Sequence, residues 1–357
     1  MAYSGTVGTT VITVQTLIDH GARRCGKLAE ELTSEQVLSA RESLFFLLSN
    51  LINIGIQYWA IDKKVFGFTA DRYIYNLPLG GNDVLNALYR WMNRPSPSNT
   101  GGYASSAGGT LANVYDGDVD TVCTQTSADG NISVDFGASN PVFIGSIGIL
   151  PAATGSWSII YEYSTDGTTW QTLQDVGTID VIDNEWVWTD IIAGQTCQFY
   201  RIRAYNGTTL NLRELYFGNN STEITMSRLN RDDYTNLPNK NFTANQPFQY
   251  WFNRTIPQSQ IWLWPTPQSA FYQMTVWYSR QIMDVGDLYG EIEVPQRWYE
   301  AVLMMLAHRM SLELPGVDLG RTQYLEGQAE KYLGLAEAEE RDKSPIYLAP
   351  NIAVYTR

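Results

Sequence analysis

Apolar side chains recur at a helical spacing near the beginning of the chain, and they predict two helices. The first covers residues 14–28 and the second about residues 35–54. Between them, Thr33 and Gln36 have the spacing of a capping box, in which the threonine side chain accepts a backbone hydrogen bond and the glutamine reaches back. The apolar face of the second helix is wide, which predicts contacts on more than one side.

Aromatic and β-branched residues alternate along other parts of the chain, and this alternation predicts strands. Over residues 58–77 it predicts a short hairpin that ends at the turn Pro78–Gly81. Further strands, rich in aromatic residues, are predicted at residues 248–252, 261–264 and 274–278. Two helices follow these strands, at residues 295–314 and 319–341.

Two turn-rich segments, Pro95–Gly102 and Gly218–Ser221, separate the middle of the chain from its ends. Between them, short β-type runs alternate with Gly, Asn and Asp turns, which is typical of a β-sandwich. The predicted fold is multidomain α+β: a helical domain with a small antiparallel β part, interrupted by a β-sandwich. Its parts are residues 1–95 (helices and β-hairpin), 96–220 (the insert), 221–343 (aromatic strands and C-terminal helices) and 344–357 (an extended C-terminal arm).

Composition and charge narrow the classes of function. Charged residues make up 17% of the chain, against roughly 25% in an average globular protein. A charged fraction this low suits either a protein whose surface is partly covered by partners or an ordinary β-rich protein with exposed aromatic residues. The net charge of −13 argues against wrapping DNA on a basic face, but an acidic ring could still let DNA slide through it.

The three cysteines, Cys25, Cys123 and Cys197, are odd in number and have no metal-like spacing. They are interpreted as small buried hydrophobic residues in a reduced compartment. Residues 1–10 lack the basic and apolar regions of a signal peptide, and no apolar run reaches a membrane-spanning length. A soluble protein that is made in a cytoplasm and does not enter a membrane is expected.

Catalytic chemistry has little support in the sequence. The two histidines, His20 and His308, fall in predicted helices at opposite ends of the chain. Neither a nucleophile elbow, a phosphate loop nor a His-Glu-x-x-His motif occurs. A wall-degrading hydrolase would need two carboxylates placed across the scissile bond, and no pair stands out. The chain is therefore expected not to be an enzyme.

Three motifs of the outer part occur in an order that is similar to a known family. They are Tyr73–Gly80, Ile261–Pro267 and Glu293–Tyr299. Residues 10–95 and 222–343 resemble the head-to-tail adaptor of short-tailed bacteriophages, the tail accessory factor that binds beneath the portal protein. The resemblance implies a structural virion protein of the phage neck. It would form a ring, usually twelve-fold, that joins the portal to a downstream tail or nozzle protein, with a tail fibre as a further partner. DNA would pass through without sequence-specific binding during genome ejection.

The C-terminal arm, residues 344–357, is apolar and contains two prolines. In the adaptor family a C-terminal extension clamps onto the portal, and the physical alternative is a strand that folds back on its own domain. The side chains expected to bind the portal are Pro345, Ile346, Tyr347, Leu348, Pro350, Ile352, Val354 and Tyr355.

The insert carries four motifs in order, at residues 113–121, 133–137, 163–170 and 201–215. They resemble the galactose-binding-like family (discoidin, or coagulation factor type C), which implies a jelly-roll sandwich. Members of this family often hold a structural Ca²⁺. The matching ligands would be the Asn113 carbonyl, Asp116, Asp118, Thr121 and Glu214. The alternative is a loop that its own hydrogen bonds close without a metal. Cys123 stands near the place where the family has a tryptophan, which predicts a repacked core.

Glycan binding is a separate question, because a fold does not establish a ligand. Candidate glycan-binding residues of the insert are Tyr103, Trp157, Trp186 and Trp188, whereas Trp170 is expected to be buried. Three functions follow from these observations. They are a connector adaptor decorated by an insert that binds glycan or another virion protein, a carbohydrate-binding module with unrelated flanks, and a peptidoglycan hydrolase of the tail. The connector is the prediction.

Deleting residues 344–357 should weaken binding to the portal protein while the fold remains intact, because an extended arm adds main-chain hydrogen bonds to a partner's sheet. Co-sedimentation of the full-length and shortened chains with the portal protein measures this effect, and circular dichroism checks the fold. Unchanged affinity would exclude the clamp.

Overall fold

A computed structural model of the chain describes residues 12–54, 58–92, 95, 102–219, 221–268 and 272–340. The chain divides into two compact units, one made of Met1–Ile61 with Ser279–Arg357 and the other of Asp62–Tyr278. The architecture is mixed α+β with mostly antiparallel sheets. Within the described ranges, no helix combines the length and apolar character needed to cross a membrane.

The predicted helices are present, with small shifts of their ends. Within the described residues the α-helices are α1 Val14–Cys25, α2 Ser34–Ile54, α3 Arg231–Thr235, α4 Tyr299–Glu313 and α5 Leu319–Glu339. Helix α1 stops three residues before the predicted end, because Gly26 adopts a left-handed φ of 84° and its N–H donates to carbonyls of the last turn. The capping box is confirmed: the Thr33 N–H donates to Gln36 Oε1 over 2.9 Å, and the Gln36 N–H donates to Thr33 Oγ1 over 3.3 Å.

The first unit is built around Trp298, which is fully buried among the helices. Its ring meets the edge of Trp59 with centroids 5.2 Å apart. Glu340, at the end of α5, accepts hydrogen bonds from Arg297 over 2.7 Å and from the Tyr58 N–H over 3.0 Å. Glu340 is thus buried and closes this core.

The strands of the described residues lie in six sheets. In chain order they are β1 Ile61–Gly67, β2 Ile74–Asn76, β3 Gly81–Met92, β4 Gly102–Ser105, β5 Cys123–Thr124, β6 Asn131–Asp135, β7 Val142–Phe143, β8 Ser146–Pro151, β9 Gly155–Ser164, β10 Gln171–Val181, β11 Val187–Asp190, β12 Thr196–Cys197, β13 Phe199–Tyr205, β14 Asn211–Gly218, β15 Ser221–Thr225, β16 Ser227–Leu229, β17 Thr243–Ala244, β18 Gln249–Asn253, β19 Gln260–Trp264, β20 Thr266–Pro267 and β21 Gln273–Arg280. The three aromatic strands predicted after residue 221 correspond to β18, β19 and β21.

The hairpin predicted over residues 58–77 is wrong. Strand β1 belongs to a sheet of order β1-β21-β3-β15, whereas β2 pairs with β19 in a different sheet. Between them, the Phe68 N–H donates to the Tyr272 carbonyl and the Asp71 N–H to the Pro267 carbonyl, both over 2.9 Å. The chain therefore crosses from one sheet to the other instead of turning back on itself.

The insert is a β-sandwich. One sheet has the order β10-β9-β13-β6-β4 and the other the order β11-β8-β14-β5. Strand β13 alternates strictly between half-buried and buried residues, as a strand with one face on a core must. Tyr200 and Ile202 of this strand pack against Phe217 and Ile147 of the facing sheet in one hydrophobic core. All three cysteines are buried and free, as the sequence predicts.

The insert leaves and re-enters the outer strands at neighbouring positions, because Met92 of β3 pairs with Ser221 of β15. The compact units nevertheless differ from the expected domains. The outer strands group with the insert in Asp62–Tyr278, and the helices form the other unit. Side chains join the insert to the outer sheet within the second unit.

Arg90 of β3 is the main side chain that links the insert to the outer sheet. Its guanidinium is only 5% exposed and donates to Glu223 of β15 (Nε to Oε1, 3.0 Å) and to Asp190 of the insert (Nη2 to Oδ2, 3.2 Å). Lys63 of β1 also pairs with Asp190. Burial works to raise the pKa of Asp190, but hydrogen bonds from Arg90 and Lys63 outweigh burial and hold this pKa below its usual range.

Replacing Arg90 with Met should destabilise the Asp62–Tyr278 unit by about 2 kcal/mol, which calorimetric unfolding measures. Breaking a fully buried pair costs about 3–5 kcal/mol, and the value is smaller here because the two carboxylates are one third exposed and screened by water. The Arg254→Met control removes a mostly exposed arginine and should have little effect.

The effect of Arg90→Met on stability should also depend on pH. Because the pKa of Asp190 is lowered, its contribution to stability is present above the ordinary aspartate pKa of about 3.9 and is lost as the pH falls through its value in the folded chain. The difference in stability between the wild type and Arg90→Met should therefore shrink below about pH 4. A constant difference would contradict this account of the cluster.

Candidate functional site

The acidic loop between Asn113 and Thr121 is closed by its own hydrogen bonds. Asp116 Oδ1 accepts from the Asp118 N–H over 2.9 Å, and its Oδ2 accepts from the Thr121 hydroxyl over 3.0 Å. The Gly117 N–H donates to Glu214 Oε1 over 2.6 Å. Gly117 has a φ of 81°, which permits the sharp turn. The loop and β14 thus bring Asp116, Asp118 and Glu214 to the same turn.

The predicted calcium ligands suit Ca²⁺ in kind, since all are hard oxygen donors. Their arrangement fits less well. Within the described residues, no group of three or more His, Cys, Asp or Glu side chains is placed to hold a metal ion. The Asn113 side chain braces the loop, because its Nδ2 donates to the Val122 carbonyl over 2.9 Å, and this bond does not involve the Asn113 carbonyl. Calcium binding remains a prediction, and the metal-free alternative accounts for every contact named here.

The hairpin turn at residues 163–170 has the chemistry that its motif predicts. Backbone hydrogen bonds from Thr169 and Thr168, with a further bond from the Ser164 hydroxyl, hold the pKa of Asp166 well below its usual range. Trp170 is half-buried rather than buried. The Arg201 guanidinium lies 4.2 Å from the centre of its ring and covers one face. This turn is a structural element.

The four aromatic residues predicted to bind glycan do not form one platform. Trp157 is 6% exposed and belongs to the sandwich core. Tyr103 stacks on Tyr115 with centroids 4.6 Å apart and planes 9° from parallel. The other two, Trp186 and Trp188, stack on each other at 5.1 Å.

The pair formed by Trp186 and Trp188 lies between the insert and the outer sheet. A Cβ on Gly67 of β1 would lie 2.2 Å from Trp186, and a Cβ on Gly148 of β8 would lie 2.4 Å from Trp188. Both indoles are therefore pressed against glycine backbone, where a larger residue would collide with them. Trp186 thus packs against an outer strand and Trp188 against a strand of the insert, while both indoles remain half-exposed.

A cleft of about 360 Å³ opens beside this pair, where β1 and the β1–β2 connection face the end of β10 and the start of β11. We call it the junction cleft. Its polar lining residues are Lys64, Thr69, Arg72, Asn76, Asp180, Glu185 and Gln258. A second cleft of about 420 Å³ adjoins it and shares Lys64, Val65 and Val187.

Sequence reasoning missed the junction cleft. Arg72 and Glu185 are 113 residues apart in the chain, and neither belongs to a motif. Only the packing of the insert against the outer strands brings these two residues together. The alternation that predicts strands says which residues share a face, but it does not say which strand lies opposite.

The two histidines do not line the junction cleft. His20 lies on α1 and His308 on α4, both in the helical unit. Burial raises the pKa of the Cys25 thiol to about 11, with Arg321 opposing the shift, so that this thiol is protonated near neutral pH. Glu293 pairs with Arg280, which lowers the pKa of the carboxyl group.

The predicted portal-binding residues of the arm, Pro345–Tyr355, lie outside the described residues.

Comparison with known proteins gives similarity for part of the chain. No protein-family model matches it, and no curated protein matches it. Among solved structures, it is similar to CpGH89CBM32-6 produced by Clostridium perfringens (16% identity, 36% of this chain and 100% of that one, TM-score 0.32). It is also similar to the family 32 module of C. perfringens NanJ in complex with galactose (17%, 35% and 98%, 0.29), and to CBM62 from Clostridium thermocellum Xyl5A (20%, 33% and 94%, 0.29). At these TM-scores the similarity carries no argument about ligand or activity.

Chelation separates the two accounts of the acidic loop. On the metal-free account, the full-length chain should melt at the same temperature with EDTA and with added CaCl₂. A fall in melting temperature with EDTA, which Asp118→Ala would remove, would instead establish a structural calcium ion.

Proposed function

We propose that the chain is a non-catalytic structural protein whose β-sandwich insert binds saccharides and is held in a fixed orientation by the outer strands. The outer part would serve as the subunit of a head-to-tail connector in a virion. Its partners would then be a portal protein and neighbouring copies of the same chain.

The buried Arg90 cluster is the observation that carries this proposal. A module on a flexible tether needs no buried charge at its boundary. Here one guanidinium that is 5% exposed joins Asp190 of the insert to the outer sheet, and burying a charge is costly unless it is fully paired. The insert is therefore mounted on the outer strands, which suits display on a larger assembly.

The saccharide part of the proposal rests on the insert itself. The four motifs that resemble the galactose-binding-like family occupy the loops and strands that the sandwich requires. Arg201 lies in β13, Leu212 in β14 and Asp166 in the turn before β10. The solved structures named above include carbohydrate-binding modules.

The connector part is supported by apolar side chains that remain exposed on the helical unit. They are Leu38 and Phe46 on α2, and Leu319, Tyr324 and Leu335 on α5. These exposed side chains are available for contact with other protein surfaces. A ring subunit needs two such surfaces, because each copy meets its neighbours head to tail.

Removing residues 97–219 tests both parts. The paired ends Met92 and Ser221 would be joined by residues 93–96 and 220, a length that suits a hairpin loop. Arg90 would keep Glu223 as its partner. The shortened chain should still bind the portal protein but should lose all saccharide binding, since the insert carries that site.

Co-sedimentation with the portal protein and saturation-transfer NMR with saccharides provide the two measurements. Circular dichroism and calorimetry of the shortened chain are the controls for folding. Loss of portal binding by a folded shortened chain would contradict the connector role of the outer part. Saccharide binding that survived the deletion would contradict the role of the insert.

A further inference from the structure

We propose that the junction cleft binds a short, neutral saccharide, in contact with both the insert and the outer strands. This inference rests on the saccharide-binding function proposed above and names its site. The site would be made jointly by two parts of the chain that meet only because the insert is mounted on the outer sheet.

The size of the junction cleft suits a ligand of a few sugar units. Its volume of about 360 Å³ lies in the range of roughly 300–1,000 Å³ that is usual for small-molecule sites. The adjoining cleft of about 420 Å³ continues it along β11. An oligosaccharide is therefore expected to bind better than a single sugar.

The charges that line the junction cleft balance each other. Lys64 and Arg72 supply two positive charges, and Asp180 and Glu185 supply two negative charges. The whole chain has a net charge of −13, which repels polyanionic ligands at long range. A neutral ligand with many hydroxyl groups fits this lining better than an acidic or a basic one.

Arg72 and Glu185 form the polar centre of the cleft. Arg72 Nη1 lies 3.5 Å from Glu185 Oε1, at the outer limit of a hydrogen bond, and both side chains are more than one third exposed. A sugar hydroxyl group both donates and accepts hydrogen bonds. One hydroxyl group could therefore accept from the guanidinium and donate to the carboxylate in place of this long contact.

The arginine is already held in position for this role. Its Nε donates to the Ile74 carbonyl over 3.0 Å, and its guanidinium lies 5.1 Å from the centre of the Tyr75 ring. The Tyr75 hydroxyl in turn accepts from the Thr69 N–H over 3.0 Å. Groups that are ordered before binding lose little entropy when a ligand arrives.

Apolar residues complete the wall of the junction cleft. They are Val65, Phe66, Leu77, Pro78, Ile182, Trp186 and Val187. The close approach of Gly67 to Trp186 fixes the indole in the wall. Sugar rings present C–H faces as well as hydroxyl groups, so that a cleft with both apolar and polar sides matches them.

The experiment uses the full-length chain and saturation-transfer NMR with a defined panel. The neutral probes are galactose, glucose, N-acetylglucosamine, maltotriose and chitotriose, and the charged comparators are galacturonic acid and glucosamine. Arg72→Met and Glu185→Gln should each weaken binding of the neutral probes by about tenfold or more, because each change removes a charge-assisted hydrogen bond. Titration of the strongest probe gives the affinities.

The matched control is Arg228→Met. Arg228 also lies beside an aromatic ring, Phe252, and pairs with a partly exposed carboxylate, Asp83, but it does not line the junction cleft. Its replacement should leave saccharide binding unchanged, and the melting temperatures of all three variants verify the fold.

The outcomes separate this inference from the proposed function. If the wild type binds neutral probes and both cleft variants bind them equally well, the cleft is not the site, but the saccharide-binding function stands. Preference for galacturonic acid or glucosamine would overturn the assignment of a neutral ligand. If the wild type binds no member of the panel, both the inference and the saccharide-binding function fail.

Discussion

The constraint on which the second unit depends is the placement of one buried positive charge. Arg90 lies on β3, directly opposite Glu223 of β15 in the sheet register, and its other partner, Asp190, comes from the insert. An arginine remains charged when it is buried, so that it must keep carboxylates close to it. This requirement fixes β3, β15 and the end of β11 relative to one another. The stacked indoles of Trp186 and Trp188 fill the space beside them.

The parts of the fold that sequence reasoning found are those with local signals. The capping box at Thr33 depends on residues three apart, and the turn at Asp166 depends on its own backbone amides. Helical periodicity likewise identifies α2, α4 and α5 from short windows of sequence. These features could be predicted because the interactions that stabilise them are formed within a few residues. Two ends shifted most: α1 stops before Gly26, and the first turn predicted for α4 is a 3₁₀-helix, Gln296–Trp298.

The features that sequence reasoning missed depend on distant partners. Alternation correctly marked β1 and β2 as strands, but their pairing is decided by β21 and β19, roughly 200 residues later in the chain. The sequence names Trp186 as a glycan-binding candidate but gives no sign that it packs on Gly67, a residue of a strand outside the insert. No periodicity within the insert could reveal this contact. The junction cleft was missed for the same reason, since neither of its two walls is complete by itself.

An inserted module can gain residues for a ligand site from the part of the chain into which it is inserted. A sandwich that folds alone can use only residues from its own loops and faces, and its ligand follows from them. Once its edge strand β11 is mounted beside β1, residues such as Arg72 of the host part stand opposite Glu185 of the insert. The insertion then creates a cleft that neither part has separately. Substitutions in the host strands can therefore change the ligand preference while the sandwich itself remains unaltered, because the mount at Arg90 does not involve the cleft residues Arg72 and Glu185.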